Sequence, residues 1–382
     1  MRILRILKLH FLILPKCKNN NIFFFFPSIH LGGAETVHCD ILEVFKNNNT
    51  VCFITGFSSN NFNKNRFKDH TKLFDIYSIL KVSKLYKISI KKIAKVINKS
   101  NNPIVFSSNS HFFYDLIPYL DSKVKIIDLI HAFSPEENSA TEKVSLKVVE
   151  RINNRVVLGE KTKNDFKELY LNANKDLTLL NRIKIIKNKV NIPKNVSIKN
   201  FSQPLVILFV GRDSYEKRPS LFFDVANECF KLNLDIIFKV IGDNFRGYNL
   251  TPNIQIIGPI KCKKTLNEFY NEANLILITS SREGFPMVIL EAMAFNVIPI
   301  STNVGEISEF INEKNRNGFL IENGVDEQKI VANFVEKIIF LKNNIEILEE
   351  YSSNTYTSLN TKFSPLSFEN AYKDLFFNID FL

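Results

Sequence analysis

The sequence predicts an α/β protein of two successive units, each a parallel sheet flanked by helices. Three observations carry this expectation. The 382 residues exceed a single typical core and suit two domains. Short apolar runs alternate with helix-patterned stretches through both halves, as parallel strands joined by crossover helices require. A polar segment after Ile192 and Pro193, residues 194–203, separates the two series as a linker.

The first series has strand candidates at 22–26, 51–55, 104–107, 125–130 and 156–158. The second has them at 205–210, 236–241, 254–257, 275–279 and 297–301. Hydrophobic residues at 45% and charged residues at 23% suit buried cores, so the many Asn and Lys do not signal disorder. Cys17, Cys39, Cys52, Cys229 and Cys262 stand far apart with no Cys-x-x-Cys pair. That spacing suggests neither a redox motif nor a zinc site and fits a reducing, cytoplasmic setting.

The net charge of +11 is unevenly spread: residues 1–200 hold 33 Lys and Arg against 16 Asp and Glu, and residues 201–382 hold 17 against 23. The positive first half suits an anionic partner, whether nucleic acid, membrane surface or substrate. All six histidines also lie there. Residues 1–20 join a basic start to an apolar run too short to span a bilayer, with no small-residue cleavage site before Lys16 and Lys18. They read as a short peripheral extension or as a tail touching the membrane interface. A helix is expected over 78–100, with Lys81, Lys84, Lys87, Lys91, Lys92, Lys95 and Lys99 on one side and Val82, Leu85, Tyr86, Ile93, Val96 and Ile97 on the other. Its lysine side is a solvated outer face or a membrane-surface face.

Chemistry concentrates where strands end. After the run at 22–26, Gly32 and Gly33 precede a helix over 36–45, so a ligand phosphate can approach free N–H groups at a helix start. This pair lacks the spacing of a dinucleotide fingerprint or a Walker loop. His131 stands at the end of the strand at 125–130. After the run at 205–210 come Gly211, Arg212 and Lys217, a planar fork and a compact charge that suit a diphosphate. After the run at 275–279 comes Glu283-Gly284-Phe285-Pro286, with Glu291 in the helix that follows. Two carboxylates at one strand–helix junction suit a hydroxyl-rich ligand.

In this order the pieces resemble one family. Gly-Gly-Ala-Glu, a strand-end histidine, Gly-Arg with a lysine five residues beyond the arginine, and Glu-Gly-Phe-Pro with a second glutamate eight positions on are similar to the retaining GT-B glycosyltransferases of glycosyltransferase family 4, the group 1 type. The resemblance runs from Ile22 to the C-terminus and includes Phe363, Ser364, Phe368, Tyr372 and Leu375, which in such enzymes belong to a helix crossing back to the first domain. It implies two Rossmann-like domains with parallel sheets facing across a cleft. The expected division is an N-terminal extension at 1–20, an acceptor domain at 21–193, the linker at 194–203, a nucleotide-sugar domain at 204–360 and the returning helix at 361–382.

By the same resemblance Glu283 binds donor-sugar hydroxyls beside the backbone of Gly284, Phe285 and Pro286, and Glu291 holds the nucleotide ribose. Arg212 and Lys217, next to Gly211, neutralise the diphosphate, while Ile260 lies where the base is met. Gly32 and Gly33 close over the donor phosphates from the opposite domain, and His131 lies near the transferred sugar. Asn296 and Glu306 depart from the pattern, standing where glycine is common, and Glu306 is the one expected to weaken phosphate binding.

The implied enzyme is a hexosyltransferase-type glycosyltransferase. It moves a sugar from a nucleotide-diphosphate sugar to a glycan or lipid-linked acceptor, with retention of configuration, in cell-surface polysaccharide or glycolipid biosynthesis. No Asp-x-Asp is present to bridge phosphates through a metal, so Arg212, Lys217 and two helix N-termini are expected to replace it; no metal and no cofactor beyond the donor are expected. Cytoplasmic placement follows, at the inner face of the membrane with peripheral contact to anionic lipid. A carboxylate-pair hydrolase or a nucleotide-sugar epimerase is the alternative enzyme, but a hydrolase has no use for the cation pair. A basic nucleic-acid-binding module is the other alternative; the run Phe23 to Phe26 is not interleaved with basic residues as a stacking platform, so no nucleic-acid partner is expected.

Overall fold

A computed structural model of the chain describes all residues except 1, 135–136, 194–195, 197–198, 202–203, 244, 313 and 379–382. Six positions of the expected linker thus lie outside the described residues, as do position 1 of the extension and the last four of the closing segment. The chain divides into two compact units, Met1–Asn188 with Leu366–Leu382, and Lys189–Pro365.

The first unit holds seven strands, β1 (Ile22–Phe26), β2 (Thr50–Ile54), β3 (Lys72–Asp75), β4 (Ile104–Ser108), β5 (Lys125–Leu129), β6 (Asn154–Val157) and β7 (Ile183–Ile185), in the order β3-β2-β1-β4-β5-β6-β7. All pairs are parallel. Helices cover both faces of such a sheet, so its central strands read as unbroken apolar runs. β1 follows this rule with Ile-Phe-Phe-Phe-Phe, all of it buried. Successive side chains alternate between faces. Phe25 stacks on Phe53 with centroids 5.3 Å apart, in one core with Phe23, Phe112 and Phe113. Phe24 meets Phe45 and Phe106 at 6.0 and 5.8 Å. The helix Pro365–Phe377 also packs in this unit: Phe376 stacks on Phe45 at 4.1 Å, and Phe368 and Tyr372 are buried.

The second unit has β8 (Leu205–Val210), β9 (Ile236–Ile241), β10 (Ile254–Gly258), β11 (Leu275–Ile278), β12 (Ile298–Thr302) and β13 (Phe319–Ile321), in the order β10-β9-β8-β11-β12-β13. These too are parallel throughout. Its core joins Leu205, Ile207 and Phe209 of β8 to Leu221, Phe222 and Val225 of the helix Pro219–Lys231 and to Phe334 and Ile338 of the helix Glu327–Asn343.

Three strands have no counterpart among the expected runs: β3, β7 and β13. Each is a short sheet edge. β3, Lys-Leu-Phe-Asp, is partly exposed along its whole length, so it needs no apolar run. The helix expected over 78–100 is two, Tyr77–Leu80 and Ser83–Asn98, because Val82 between them is extended, with φ −104° and ψ 108°. Residues 2–17 are not a mere peripheral extension, because one face of them is part of the first core. They are helical from Arg2 to Cys17, with wider π-type turns over Lys8–Ile13. Leu9, Ile13 and Cys17, spaced by four, share a face and enter the first core with Leu14. No described helix is long and apolar enough to cross a membrane.

A charged pair lies wholly inside the first unit. Arg155 of β6 makes a two-pronged contact with Asp128 of β5, Nε to Oδ1 at 3.0 Å and Nη2 to Oδ2 at 2.6 Å. Its remaining donors reach the Tyr170 hydroxyl at 3.0 Å and Ser145 Oγ at 2.8 Å, and its guanidinium lies 4.4 Å from the Phe166 ring. Tyr114 donates to Asp128 Oδ2 at 3.0 Å. Such a pair is tolerable inside because each member is fully hydrogen-bonded. Arg155→Ala leaves the Asp128 carboxylate buried without its countercharge. It is expected to cost about 3–5 kcal/mol, read as a lowered urea midpoint for the first unit; an unshifted midpoint would show that the pair contributes little.

Candidate active site

Each sheet has a point where strand order reverses, between β1 and β4 in the first unit and between β8 and β11 in the second. Ligands of open α/β sheets bind at the carboxyl ends of strands flanking such a point. In the second unit the loops leaving β8 and β11 are the two that hold Arg212, Lys217 and Glu283.

Local geometry ties these loops together. Gly211 N–H donates to the Ile241 carbonyl at 3.0 Å, closing the end of β8 against β9. Gly242 has φ +149°, and a Cβ there would lie 1.8 Å from the Gly211 carbonyl oxygen, so only glycine fits. A single 3-10 turn, Tyr215–Lys217, leads to Arg218 in the left-handed region at φ 43° and ψ 57°, and Pro219 then opens a helix. A non-glycine residue in that conformation costs of order 1–3 kcal/mol and persists only if its surroundings hold it. Here they do. Arg218 Nε donates to the Thr279 carbonyl at 2.8 Å, and Nη2 to the Ser280 carbonyl at 3.1 Å and to Asn323 Oδ1 at 2.5 Å. In return Thr279 Oγ1 donates to the carbonyls of Lys217 at 2.9 Å and Arg218 at 3.0 Å.

This clasp aims Lys217 at Glu283. Nζ lies 2.5 Å from Glu283 Oε1, which also accepts from Ser280 Oγ at 2.6 Å. The turn carrying Glu283 is braced from below. Gly305, at φ +57°, passes so close that a Cβ would lie 2.1 Å from the Glu283 carbonyl oxygen and 2.3 Å from that of Gly284. The next N–H, of Glu306, donates to the Gly284 carbonyl at 2.9 Å. Position 306, with φ −91°, therefore has no need of glycine. Asn296 does sit in the left-handed region, at φ 59°, just past the helix Met287–Met293, where asparagine is the usual substitute for glycine.

The other candidate residues of this unit stand apart from the Lys217–Glu283 pair. Arg212 has 60% of its side chain exposed and lies 3.4 Å from Glu216 Oε1. Glu291, in the helix Met287–Met293, takes Lys263 Nζ at 2.5 Å on one oxygen and the Tyr270 hydroxyl at 3.1 Å on the other. Phe285 packs on Phe363 with centroids 5.4 Å apart, Pro286 precedes the helix, and half-buried Ile260 lies in the loop after β10. Among the described residues no cluster of three or more His, Cys, Asp or Glu is placed to hold a metal ion.

In the first unit the helix Gly33–Val44 starts directly after extended Gly32. Glu35 folds back across that start: its Oε1 accepts from Ser28 Oγ at 2.6 Å and lies 3.2 Å from His30 Nε2. His131, two residues past β5, has its Nε2 3.1 Å from Nε2 of His38. His38 is fully buried and its ring stacks flat on Phe26 at 4.1 Å. Burial pushes His38 well below the ordinary imidazole range, with the neighbouring His131 adding to it, and burial lowers His131 to about 4. Both rings are therefore neutral near pH 7, one donating and the other accepting. Sequence reasoning passed over His38, Arg218, Ser280, Lys263 and Tyr270. Ser280 adjoins the glutamate motif and Arg218 the lysine, so proximity was a signal for these two; His38 becomes visible only when the sheet brings β1 and β5 into place.

Residues 191–357 match the family described as glycosyl transferases group 1. The chain is 25% identical over 316 residues to the Escherichia coli O-antigen biosynthesis glycosyltransferase WbnH, covering 80% of this chain and 87% of that one. It is 24% identical over 167 residues, 41% of this chain and 45% of that one, to a Campylobacter jejuni alpha-1,4-N-acetyl-D-galactosaminyltransferase whose name specifies a glycan on PP-undecaprenol. Among solved structures, Anabaena Alr3699/HepE in complex with UDP-glucose is similar with a TM-score of 0.72 at 15% identity, covering 94% of this chain and 99% of that one. The fold is thus GT-B-like.

The histidine pair sets a pH dependence. Because His131 falls from 6.5 to about 4 on folding, and His38 also falls, the unfolded chain binds more protons than the folded one in that window. Stability from the pair is complete above the unfolded value and is lost as pH drops toward 4. The melting temperature of the first unit is expected to decline over this range, and His38→Gln to flatten the decline; an equal slope in the variant would count against the pair.

Proposed function

We propose that the chain, whose residues 191–357 match the group 1 glycosyl transferases, takes a nucleotide-sugar donor, and that Lys217 and Glu283 divide this donor between them. The ammonium takes the diphosphate and the carboxylate takes the hydroxyls of the sugar. The observation that carries this reading is their 2.5 Å contact between the β8 and β11 loops, where the sheet order reverses. A donor entering here exchanges one contact for two, one at its anionic end and one at its hydroxyl end.

Cleavage of the sugar–phosphate bond builds negative charge on the leaving diphosphate and positive charge on the anomeric carbon. Cations fixed before the reaction stabilise that change without reorganising. Lys217 is held by the Arg218–Thr279 clasp, whereas exposed Arg212 comes in from solvent to complete the charge. Gly211, Gly284, Phe285 and Pro286 present backbone to the donor. Glu291 takes the ribose, with Lys263 and Tyr270 as its supports, and Ile260 lies beside the base. Gly32, Gly33 and His131 are the first unit's share of the machinery; His131, kept neutral, is able to hydrogen-bond sugar without repelling the developing positive charge. Configuration is retained, the acceptor attacking from the face the diphosphate leaves and giving its proton to the departing phosphate.

The base is uracil and the acceptor a glycan on a lipid diphosphate, in the biosynthesis of a surface polysaccharide such as O-antigen or capsule. The UDP-glucose complex and the PP-undecaprenol acceptor of the similar proteins support this. The enzyme works in the cytoplasm, peripherally at the inner membrane face, where such an acceptor is presented.

Release of UDP from UDP-glucose, UDP-N-acetylglucosamine and UDP-N-acetylgalactosamine in the presence of undecaprenyl-diphosphate glycans tests the reading. Transfer from one of them is expected, and hydrolysis of plain glycosides without any nucleotide requirement would overturn it. Lys217→Ala and Arg212→Ala are each expected to lower kcat about a hundredfold, about 3 kcal/mol of barrier, with the fold intact; near-normal turnover in both would remove them from the reaction. Activity is expected to persist in EDTA. Loss that magnesium or manganese restores would show a metal sharing the charge.

A further inference from the structure

Two features with separate sequence explanations meet on one surface of the first unit. The helical segment Arg2–Cys17 buries Leu9, Ile13, Leu14 and Cys17 but turns Leu4, Leu7, Phe11 and Leu12 outward, exposed by 69, 41, 64 and 59%. An interior helix would bury these residues, and a solvated one would not carry them in a row. Beside it runs the helix Ser83–Asn98, whose apolar side is buried while Lys84, Lys87, Lys91 and Lys95 face out. The two are in contact, with Lys92 Nζ 3.3 Å from His10 Nδ1. Neither segment, 1–20 or 76–100, contains an Asp or Glu. Three carboxylates border the surface, and each is tied to a neighbour: Asp75 accepts from the Tyr77 N–H at 3.0 Å, Asp115 from the Tyr86 hydroxyl at 2.6 Å and Asp121 from Asn98 at 2.9 Å.

We propose that the exposed ridge Leu4, Leu7, Phe11 and Leu12, bordered by the lysine face of Ser83–Asn98, is a docking surface for an anionic lipid bilayer. The apolar ridge enters the boundary between headgroups and acyl chains, and the lysines meet the phosphates around it. Either component alone binds weakly and reversibly; the pair supplies the two signals that stable peripheral attachment needs. Charge complementarity chooses this occupant over a second copy of the chain, because two such faces would bring two lysine rows together. The surface rests on the membrane-face reading above only for its biological use, since binding to lipid needs neither donor nor acceptor.

The chain has no tryptophan, so Phe11→Trp installs a single reporter at the ridge. With vesicles of phosphatidylglycerol and phosphatidylcholine its emission is expected to shift to the blue, and with phosphatidylcholine alone to stay unshifted. Co-sedimentation with the anionic vesicles is expected to fall about a hundredfold in Lys84→Gln/Lys91→Gln/Lys95→Gln and to weaken as salt is raised. It is expected to fall at least tenfold in Leu7→Ser/Phe11→Ser/Leu12→Ser. Both sets alter exposed side chains only, and UDP release with a water-soluble acceptor is expected to match the unaltered enzyme. Equal vesicle binding in all variants would overturn the proposal, as would light scattering that shows the ridge holding a dimer. Binding that follows these expectations while no sugar transfer occurs would uphold the surface and sink the catalytic reading instead.

Discussion

The reciprocal hydrogen bonds between Lys217–Arg218 and Thr279–Ser280 are the constraint on which the candidate site depends. β8 and β11 are neighbours, but their following loops run to different helices and have no sequence-local reason to stay together. The guanidinium of Arg218 bonded to two carbonyls of the far loop, and the Thr279 hydroxyl bonded back to two carbonyls of the near one, make a single body of them. The left-handed strain at Arg218 is then a cost that these bonds offset. Gly305 closes the third side, where its missing Cβ lets the β12 loop rest against Glu283. A cation and a carboxylate thereby end up in contact although 66 residues separate them in sequence.

The first unit meets its own constraint with buried charge. Arg155 and Asp128 join β5 to β6 through side chains as well as backbone, and Tyr114 and Tyr170 complete their hydrogen bonding. That network lies three residues before His131, so the histidine leaves a strand end that cannot drift. The phenylalanines of β1 add to this on both faces of the sheet, and Phe26 supplies the flat surface on which His38 lies. Buried as they are, these rings form a core and offer no platform for nucleic-acid bases.

The central strands were legible in the sequence because they are buried on both faces and so written as unbroken apolar runs; Leu205–Val210 and Ile236–Ile241 have the expected bounds. The edges β3, β7 and β13 were not, since β3 carries mixed residues and β7 and β13 are only three residues long. Glu283 and Lys217 stood out because Gly-x-Pro and Gly-Arg turns at strand ends are local features. Arg218 and His38 gave no local sign. Their parts depend on partners 61 and 93 residues away, a distance over which spacing carries no information. The core face of residues 2–17 is hidden for the reverse reason: a short apolar run looks like an extension until the interval of four at Leu9, Ile13 and Cys17 is weighed.

The contact between Lys217 and Glu283 also bears on selectivity. A free phosphate satisfies the ammonium and leaves a largely buried carboxylate without its cation; a free sugar does the opposite. Each fragment thus loses much of what it gains, while an intact molecule with both ends compensates both charges together. On the proposed reading, this mutual neutralisation is a filter that discriminates against phosphate and simple sugars, so that whole donors compete well in a solution crowded with their parts.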